Sequence, residues 1–270
     1  MNKKRWIAVL IAAGLLVISL VSSSLTTKEK EETQMTGLNS LLYGSDELTP
    51  TVLEDGDSTE KIVKLTVDGT IASGGSSGLF ASEGYNHENF MEQLKAIQED
   101  KSVKGIFLEV NSPGGGVYES AEIAKTLKDI RTDRKIPMYV SMKNTAASGG
   151  YYISAQADKI FATDETVTGS IGVIMSGLNY SGLLEKLGVE DTTVKSGALK
   201  DMGSSTRPPT KEDQEVLQAY INSAYNRFVK VVSEGRHKTE SEVKQIADGR
   251  IYDGAQAKEI GLVDEIAYPE

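Results

Sequence analysis

Residues 103–142 decide the fold class and read VKGIFLEVNSPGGGVYESAEIAKTLKDIRTDRKIPMYVSM. The apolar run 103–110 predicts a buried strand, and 136–142 predicts another. Between them, residues 115–134 carry one apolar stripe at helical spacing, formed by Val117, Ala121, Ala124, Leu127 and Ile130. A strand, a helix and a second strand in this order predict a parallel βαβ unit.

The same alternation continues on both sides of this unit. Further strands are predicted at 62–67, 159–162 and, as an extended segment, 166–175, and helices at 87–100, 148–156, 180–187 and 212–234. The fold class is therefore α/β with a mostly parallel sheet flanked by helices. In such sheets the ligand site lies outside the carboxyl ends of the strands. This rule points to the loops after Val110 and Met142 and to the region of Gly169.

Three glycine-rich turns occupy these positions. Asn111–Gly116 reads NSPGGG, Ala146–Tyr152 reads AASGGYY and Thr168–Val173 reads TGSIGV. The first is either a tight connection or a cradle of amide groups for an anion. The second places Ser148 at a strand-to-helix turn, where it is either a nucleophile or a helix N-cap. The third, taken alone, fits a bulge or a bend in a strand.

Composition limits the chemistry that these turns can support. The chain of 270 residues has no cysteine, two histidines and a formal net charge of −10. The lack of cysteine excludes disulfides, a thiol nucleophile and cysteine-built metal sites, and the sequence predicts neither a metal nor a cofactor. The acidic balance argues against nucleic acid as a partner.

A serine nucleophile needs a base. His87 stands at a predicted helix start, where a solvated histidine is expected, and His237 stands in a charged loop. Neither setting suggests catalysis. A lysine can serve instead when burial keeps it neutral. Lys200, in the small-residue segment Lys195–Asp201, is the candidate that could turn inward.

The N-terminus predicts passage across a membrane. Residues 1–25 contain Lys3, Lys4 and Arg5, followed by a run without charge from Trp6 to Val21. This segment is long enough to span a bilayer, with the N-terminus cytoplasmic and the rest extracytoplasmic, and a cleaved signal peptide is the alternative. Residues 26–60 hold nine acidic residues against two lysines and predict a flexible linker. Residues 61–270 form the predicted catalytic domain.

Together these motifs resemble the signal peptide peptidase SppA family of Ser/Lys proteases. The matching pieces are Ser112–Gly115, Ala146–Tyr152, Thr168–Val173, Lys195–Asp201 and the closing stretch Ala257–Asp264, in the order that the family has them. The resemblance covers about residues 60 to 266 and is to the short, single-domain bacterial form with an N-terminal anchor.

The resemblance implies a role for each matched position. Ser148 would be the nucleophile, Lys200 the general base, the amides of Gly115 and Gly149 the oxyanion hole, and Ser170 a hydroxyl that orients Lys200. It also implies a Clp/crotonase-like fold of repeated β-β-α and βαβ units, preceded by one transmembrane helix.

The family further implies a ring-like homo-oligomer with the dyad assembled across a subunit boundary. Its substrates would be signal-peptide remnants and short extended peptides at the membrane. Two alternatives remain from the residues themselves. One is a crotonase-like acyl-CoA enzyme, and the other is a non-catalytic, membrane-anchored scaffold of the same fold.

Overall fold

The computed structural model describes residues 50–74 and 84–268. The predicted anchor, 1–25, and residues 26–49 of the predicted linker lie outside this range. Within the described residues, no helix combines the length and the apolar character that crossing a bilayer requires. Apart from residues 50 and 51, the described residues belong to one compact unit.

Seven strands and seven helices make up the described part of the chain. The strands are β1 (Lys61–Asp68), β2 (Val103–Ser112), β3 (Met138–Ala147), β4 (Lys159–Ala162), β5 (Val167–Gly169), β6 (Ile251–Tyr252) and β7 (Glu265–Ile266). The helices are α1 (His87–Glu99), α2 (Val117–Arg134), α3 (Gly149–Ser154), α4 (Ser181–Leu187), α5 (Lys211–Gly235), α6 (Glu240–Ile246) and α7 (Gly254–Glu259).

The sheet is mostly parallel, as the alternation of strands and helices predicts. Its order is β1-β2-β3-β4-β7, and every neighbouring pair along this path is parallel. β5 extends the end of β3 in a parallel pairing, and β6 pairs with β5 in the antiparallel direction. The order is consistent with the predicted Clp/crotonase-like fold and places the ends of β2, β3 and β5 side by side.

The buried core lies between the sheet and the helices. Leu108 and Val110 of β2 and Val140 and Met142 of β3 are fully buried in it. The α2 stripe is buried through Ile123, Ala124, Leu127 and Ile130, whereas Val117, at the start of the helix, is partly exposed. Burying one large apolar side chain stabilises the fold by about 1.5–3 kcal/mol, so this layer is the main source of stability.

Three differences from the sequence predictions matter for the site. β2 and β3 run on to Ser112 and Ala147, so both strands lead directly into their glycine-rich turns. The extended segment predicted at 166–175 is a strand only over Val167–Gly169. In α5, Ala224 and Phe228 are buried but Tyr220 is exposed, so the predicted apolar stripe meets the core only in the second half of the helix.

Candidate active site

The turn after β2 is held in a shape that only glycine permits. Ser112 is fully buried, and its Oγ accepts a hydrogen bond of 3.1 Å from the N–H of Gly114. Gly114 has φ of 101°, in the left-handed region. A Cβ at this residue would lie 2.6 Å from the nitrogen of Gly149 and 2.8 Å from Cβ of Ser148. The two turns therefore touch through their backbones.

Ile71 fixes the direction of the Gly115 amide. The N–H of Ile71 donates to the carbonyl of Gly114 (2.9 Å), and the N–H of Gly116 donates to the carbonyl of Ile71 (2.8 Å). Because the two ends of a trans peptide point in opposite directions, the N–H of Gly115 points away from Ile71. It lies 3.1 Å from the position that a Cβ of Gly149 would take, so it faces the second turn.

Ser148 occupies a strained turn between β3 and α3. Its φ of 52° and ψ of −119° are unusual for a residue with a side chain. Its own N–H donates to the carbonyl of Gly169 at 2.9 Å, and its carbonyl accepts from the N–H of Tyr152 at 2.8 Å. The residue is only partly buried, so a ligand can reach its hydroxyl.

The amide of Gly149 is the next donor along the chain. Gly149 is the first residue of α3, and N–H groups in a first turn have no acceptor within their helix. Close packing explains both glycines of this turn. A Cβ on Gly149 would lie 2.4 Å from Ser120 Oγ, and one on Gly150 would lie 2.7 Å from the carbonyl oxygen of Ser112. Two backbone donors, from Gly115 and Gly149, thus meet beside Ser148.

Ser170 lies next to this arrangement. It follows Gly169, whose carbonyl accepts from Ser148, and its own N–H donates to the carbonyl of Arg250 at 2.8 Å. Its φ of 48° is again left-handed. The structure therefore brings four of the predicted site residues, at 115, 148, 149 and 170, to one edge of the sheet.

Lys200 is exposed in the single chain. It belongs to residues 172–210, which we call the arm, and no residue of the arm is buried. The expectation that Lys200 turns inward is not met within one chain, because its side chain is exposed.

The arm owes its shape to polar contacts. Asp201 binds Lys195 at 2.6 Å and Arg207 at 2.8 Å, and Arg207 also binds Asp213 at 2.5 Å. Hydrogen bonds from Arg207 hold the pKa of both carboxyl groups well below the usual range. The turn that carries Lys200 is therefore held by ion pairs of the neighbouring Asp201.

The histidines differ from their predicted settings in one respect. His87 is buried, not solvated: Nδ1 is 2.5 Å from Tyr85 Oη and Nε2 is 2.8 Å from Glu122 Oε2. Burial and the nearby Glu119 and Glu122 raise the pKa of Tyr85. Both ring nitrogens of His87 are thus engaged, which leaves neither free to act as a base for Ser148.

Sequence analysis missed three residues that build the site. Ile71 orients Gly115, Ser112 holds Gly114, and Ser120 lies against Gly149. For Ser112 the signal was its position two residues before a glycine in a turn. Ile71 and Ser120 give no such signal, because their contacts are made only when distant segments pack together.

Comparison with known proteins identifies the family of the chain. Residues 130–270 match the model of peptidase family S49, and residues 81–167 match the Clp protease model. The chain belongs to peptidase family S49. It is therefore a serine peptidase, which favours this activity over both the acyl-CoA enzyme and the inert scaffold.

Relatives of this S49 peptidase cover most of its length. A provisionally named signal peptide peptidase SppA of Enterococcus faecium is 62% identical over 273 residues, covering 100% of this chain and 79% of the relative. A provisionally named protease of Synechocystis is 40% identical over 211 residues, covering 78% of this chain and 71% of the relative. Protease 4 of Haemophilus influenzae is 36% identical over 232 residues, covering 85% of this chain and 37% of the relative.

Proposed function

We propose that this S49 peptidase is an endopeptidase with a Ser148–Lys200 dyad. The observation that carries the proposal is the strained turn at Ser148, with the amides of Gly115 and Gly149 beside it. Ser148 Oγ attacks the scissile carbonyl carbon while its proton passes to Lys200 Nζ. The carbonyl oxygen takes the negative charge and accepts hydrogen bonds from the two amides.

The same groups complete the reaction. Lys200 returns the proton to the leaving amine, the C–N bond breaks, and an acyl-enzyme ester remains on Ser148. Water then attacks the ester, and Lys200 takes a proton from it and passes it to Ser148 Oγ as the ester bond breaks. Ser170 supports the lysine through its hydroxyl. The cycle needs neither a metal nor a cofactor.

A second copy of the chain supplies Lys200 in this proposal. The support is the arm, which carries Lys200 at its surface and has no fully buried residue within one chain. Eight of its large hydrophobic side chains are exposed, with Ile174 at 88% and Val194 at 97%. Apolar surface of this extent is typical of a protein–protein interface. If each chain places its arm on the next chain and the last chain contacts the first, the result is a homo-oligomeric ring.

The proposed substrates are extended peptides, including signal-peptide remnants. The support is the name of the Enterococcus faecium relative and the small residues that flank Ser148. Small residues leave a shallow apolar pocket, which suits Ala or Leu before the cleaved bond.

Residues 1–25 would anchor the ring, with its catalytic domains on the extracytoplasmic side of the membrane.

Labelling with a fluorophosphonate tests the nucleophile. The full chain in detergent should take up one label, which mass spectrometry maps to Ser148. The variant Ser148→Ala should lose both the label and peptide cleavage. The variant Ser223→Ala, which alters an exposed hydroxyl of α5 that accepts a hydrogen bond from Arg227, serves as the matched control and should keep both. A label on another residue, or cleavage by Ser148→Ala, would contradict the proposed mechanism.

A further inference from the structure

Ser120 is a buried hydroxyl with an unusual setting. It is the fourth residue of α2 and closes the first turn, where its N–H donates to the carbonyl of Gly116 at 3.1 Å. The residue is 2% exposed. Among residues 50–74 and 84–268, Ser120 Oγ is the only buried side-chain nitrogen or oxygen without a hydrogen-bond partner.

This hydroxyl borders the two amides of the proposed oxyanion hole. Three atoms surround the position that a Cβ of Gly149 would take: Ser120 Oγ at 2.4 Å, the nitrogen of Gly115 at 3.1 Å and Cα of Gly114 at 3.2 Å. Ser120 thus fills the space that Gly149 leaves empty, on the side of Gly149 that faces Gly115.

A hydroxyl in this place is a disadvantage for folding. Burying an unpaired hydroxyl costs free energy that a methyl group of nearly the same size would not cost. Alanine would therefore suit the packing at least as well. Groups that destabilise the resting fold are found where activity requires them. The O–H bond of Ser120 has no fixed partner, so its dipole is free to turn towards a charge that forms nearby.

We propose that Ser120 is a positioning residue of the oxyanion hole. Its hydroxyl packs against Gly149 and keeps this residue beside Gly115. Its O–H dipole stands beside the two amides, where an alanine would place an apolar methyl group. When the tetrahedral intermediate forms, the hydrogen of the Ser120 hydroxyl turns towards the negatively charged oxygen. The O–H dipole then adds to the stabilisation that the amides of Gly149 and Gly115 provide. This inference rests on the proposed function of Ser148 and the two amides.

The variant Ser120→Ala tests the inference in the full chain. We expect kcat to fall about tenfold, less than for loss of a direct oxyanion donor, with KM unchanged within about twofold. Affinity for a peptide boronate, which forms a tetrahedral adduct with the nucleophile, should fall by a similar factor. The melting temperature should stay the same or rise. Ser120→Cys, of similar shape with a weaker dipole, should give an intermediate kcat.

Controls separate this role from simple packing. Ser141→Ala removes another buried serine, on β3, and should leave kcat and boronate affinity unchanged. An unchanged kcat in Ser120→Ala would overturn the inference. The inference would also be overturned if Ser120→Ala lowered both kcat and the melting temperature and Ser120→Cys restored both, because this pattern indicates a role in packing. Full cleavage by Ser148→Ala would instead overturn the proposed function, and this inference with it.

Discussion

Among single residues, the site depends on glycines at positions where neighbouring atoms leave no room for a Cβ. Gly114 and Gly150 have atoms of the opposite turn where a Cβ would stand, and Gly149 has Ser120 Oγ of α2 there. Ser148 is the one residue of its turn that keeps a side chain in a strained conformation. The strain fits a nucleophile, since it presents the hydroxyl at the end of β3 and leaves the next amide free.

Gly149→Ala should separate activity from folding. The added Cβ would lie 2.4 Å from Ser120 Oγ, so α3 must shift and carry the amide of residue 149 out of place. We expect kcat to fall about 100-fold or more, as for loss of an oxyanion donor. Gly182→Ala is the matched control, since nothing lies within 4 Å of its Cβ position. Steady-state kinetics of both variants, with circular dichroism to confirm folding, make the test. Equal activity of the two would rule out the assignment.

Lys200→Arg should be nearly inactive. A guanidinium stays protonated under all working conditions and cannot accept the proton of Ser148. We expect at least a 1,000-fold loss of kcat, consistent with the loss of a general base. Lys211→Arg, at a lysine with a 91% exposed side chain, should keep wild-type activity. Substantial cleavage by the Lys200→Arg chain would remove this lysine from the mechanism.

At the element scale, the arm and α5 are joined by ion pairs centred on Arg207. Asp213 is buried at the start of α5, where it also accepts the N–H of Thr210 at 2.8 Å and completes a capping box. Arg207 therefore connects the turn that carries Lys200 to a helix end within the same chain. Since this connection is ionic, its strength depends on pH.

The pKa of Asp213 is lowered, first by the hydrogen bond from Arg207 and then by that from Thr210. A carboxyl group with a lowered folded-state pKa stabilises the fold fully above its unfolded value, about 3.9, and loses this effect as pH falls further. Asp213→Asn should therefore melt several degrees below wild type at pH 7, and the difference should shrink progressively below about pH 4 while persisting in part at pH 3. Thermal melts across this range, with Glu215→Gln as the exposed control, would show it. A difference that does not change with pH would argue against an ionic role.

At the scale of the whole molecule, Ser148 and Lys200 are divided between a sheet edge and an exposed arm. Neither Ser148→Ala nor Lys200→Ala should cleave peptides alone. If each site combines two chains, mixing the variants during assembly should restore activity at about one quarter of the sites, since each partner is present in half the positions. The measurement is peptide cleavage by co-expressed, differently tagged variants. Activity that stays absent in verified mixed oligomers would place the dyad within one chain.

The N-terminal segment gives a second prediction at this scale. The charge-free run that follows Lys3, Lys4 and Arg5 should keep the chain with the membrane after a carbonate wash. Removal of residues 1–25 should release the catalytic domain, and protease added to cells without a wall should digest that domain. A full chain found entirely in the soluble cytoplasmic fraction would contradict both the anchor and the orientation.

Local sequence patterns were enough to predict the sheet class and the places of the three glycine-rich turns. Strand and helix periodicity and the three glycine-rich turns are local signals, so they placed residues 115, 148, 149 and 170 at the carboxyl ends of strands correctly. The sequence did not reveal Ile71 or Ser120, because their roles arise from contacts between segments far apart in the chain. It also left His87 solvated, whereas packing against Tyr85 and Glu122 buries it. The position of Lys200 was decided by the tertiary structure, since the arm packs too little within one chain to turn its lysine inward.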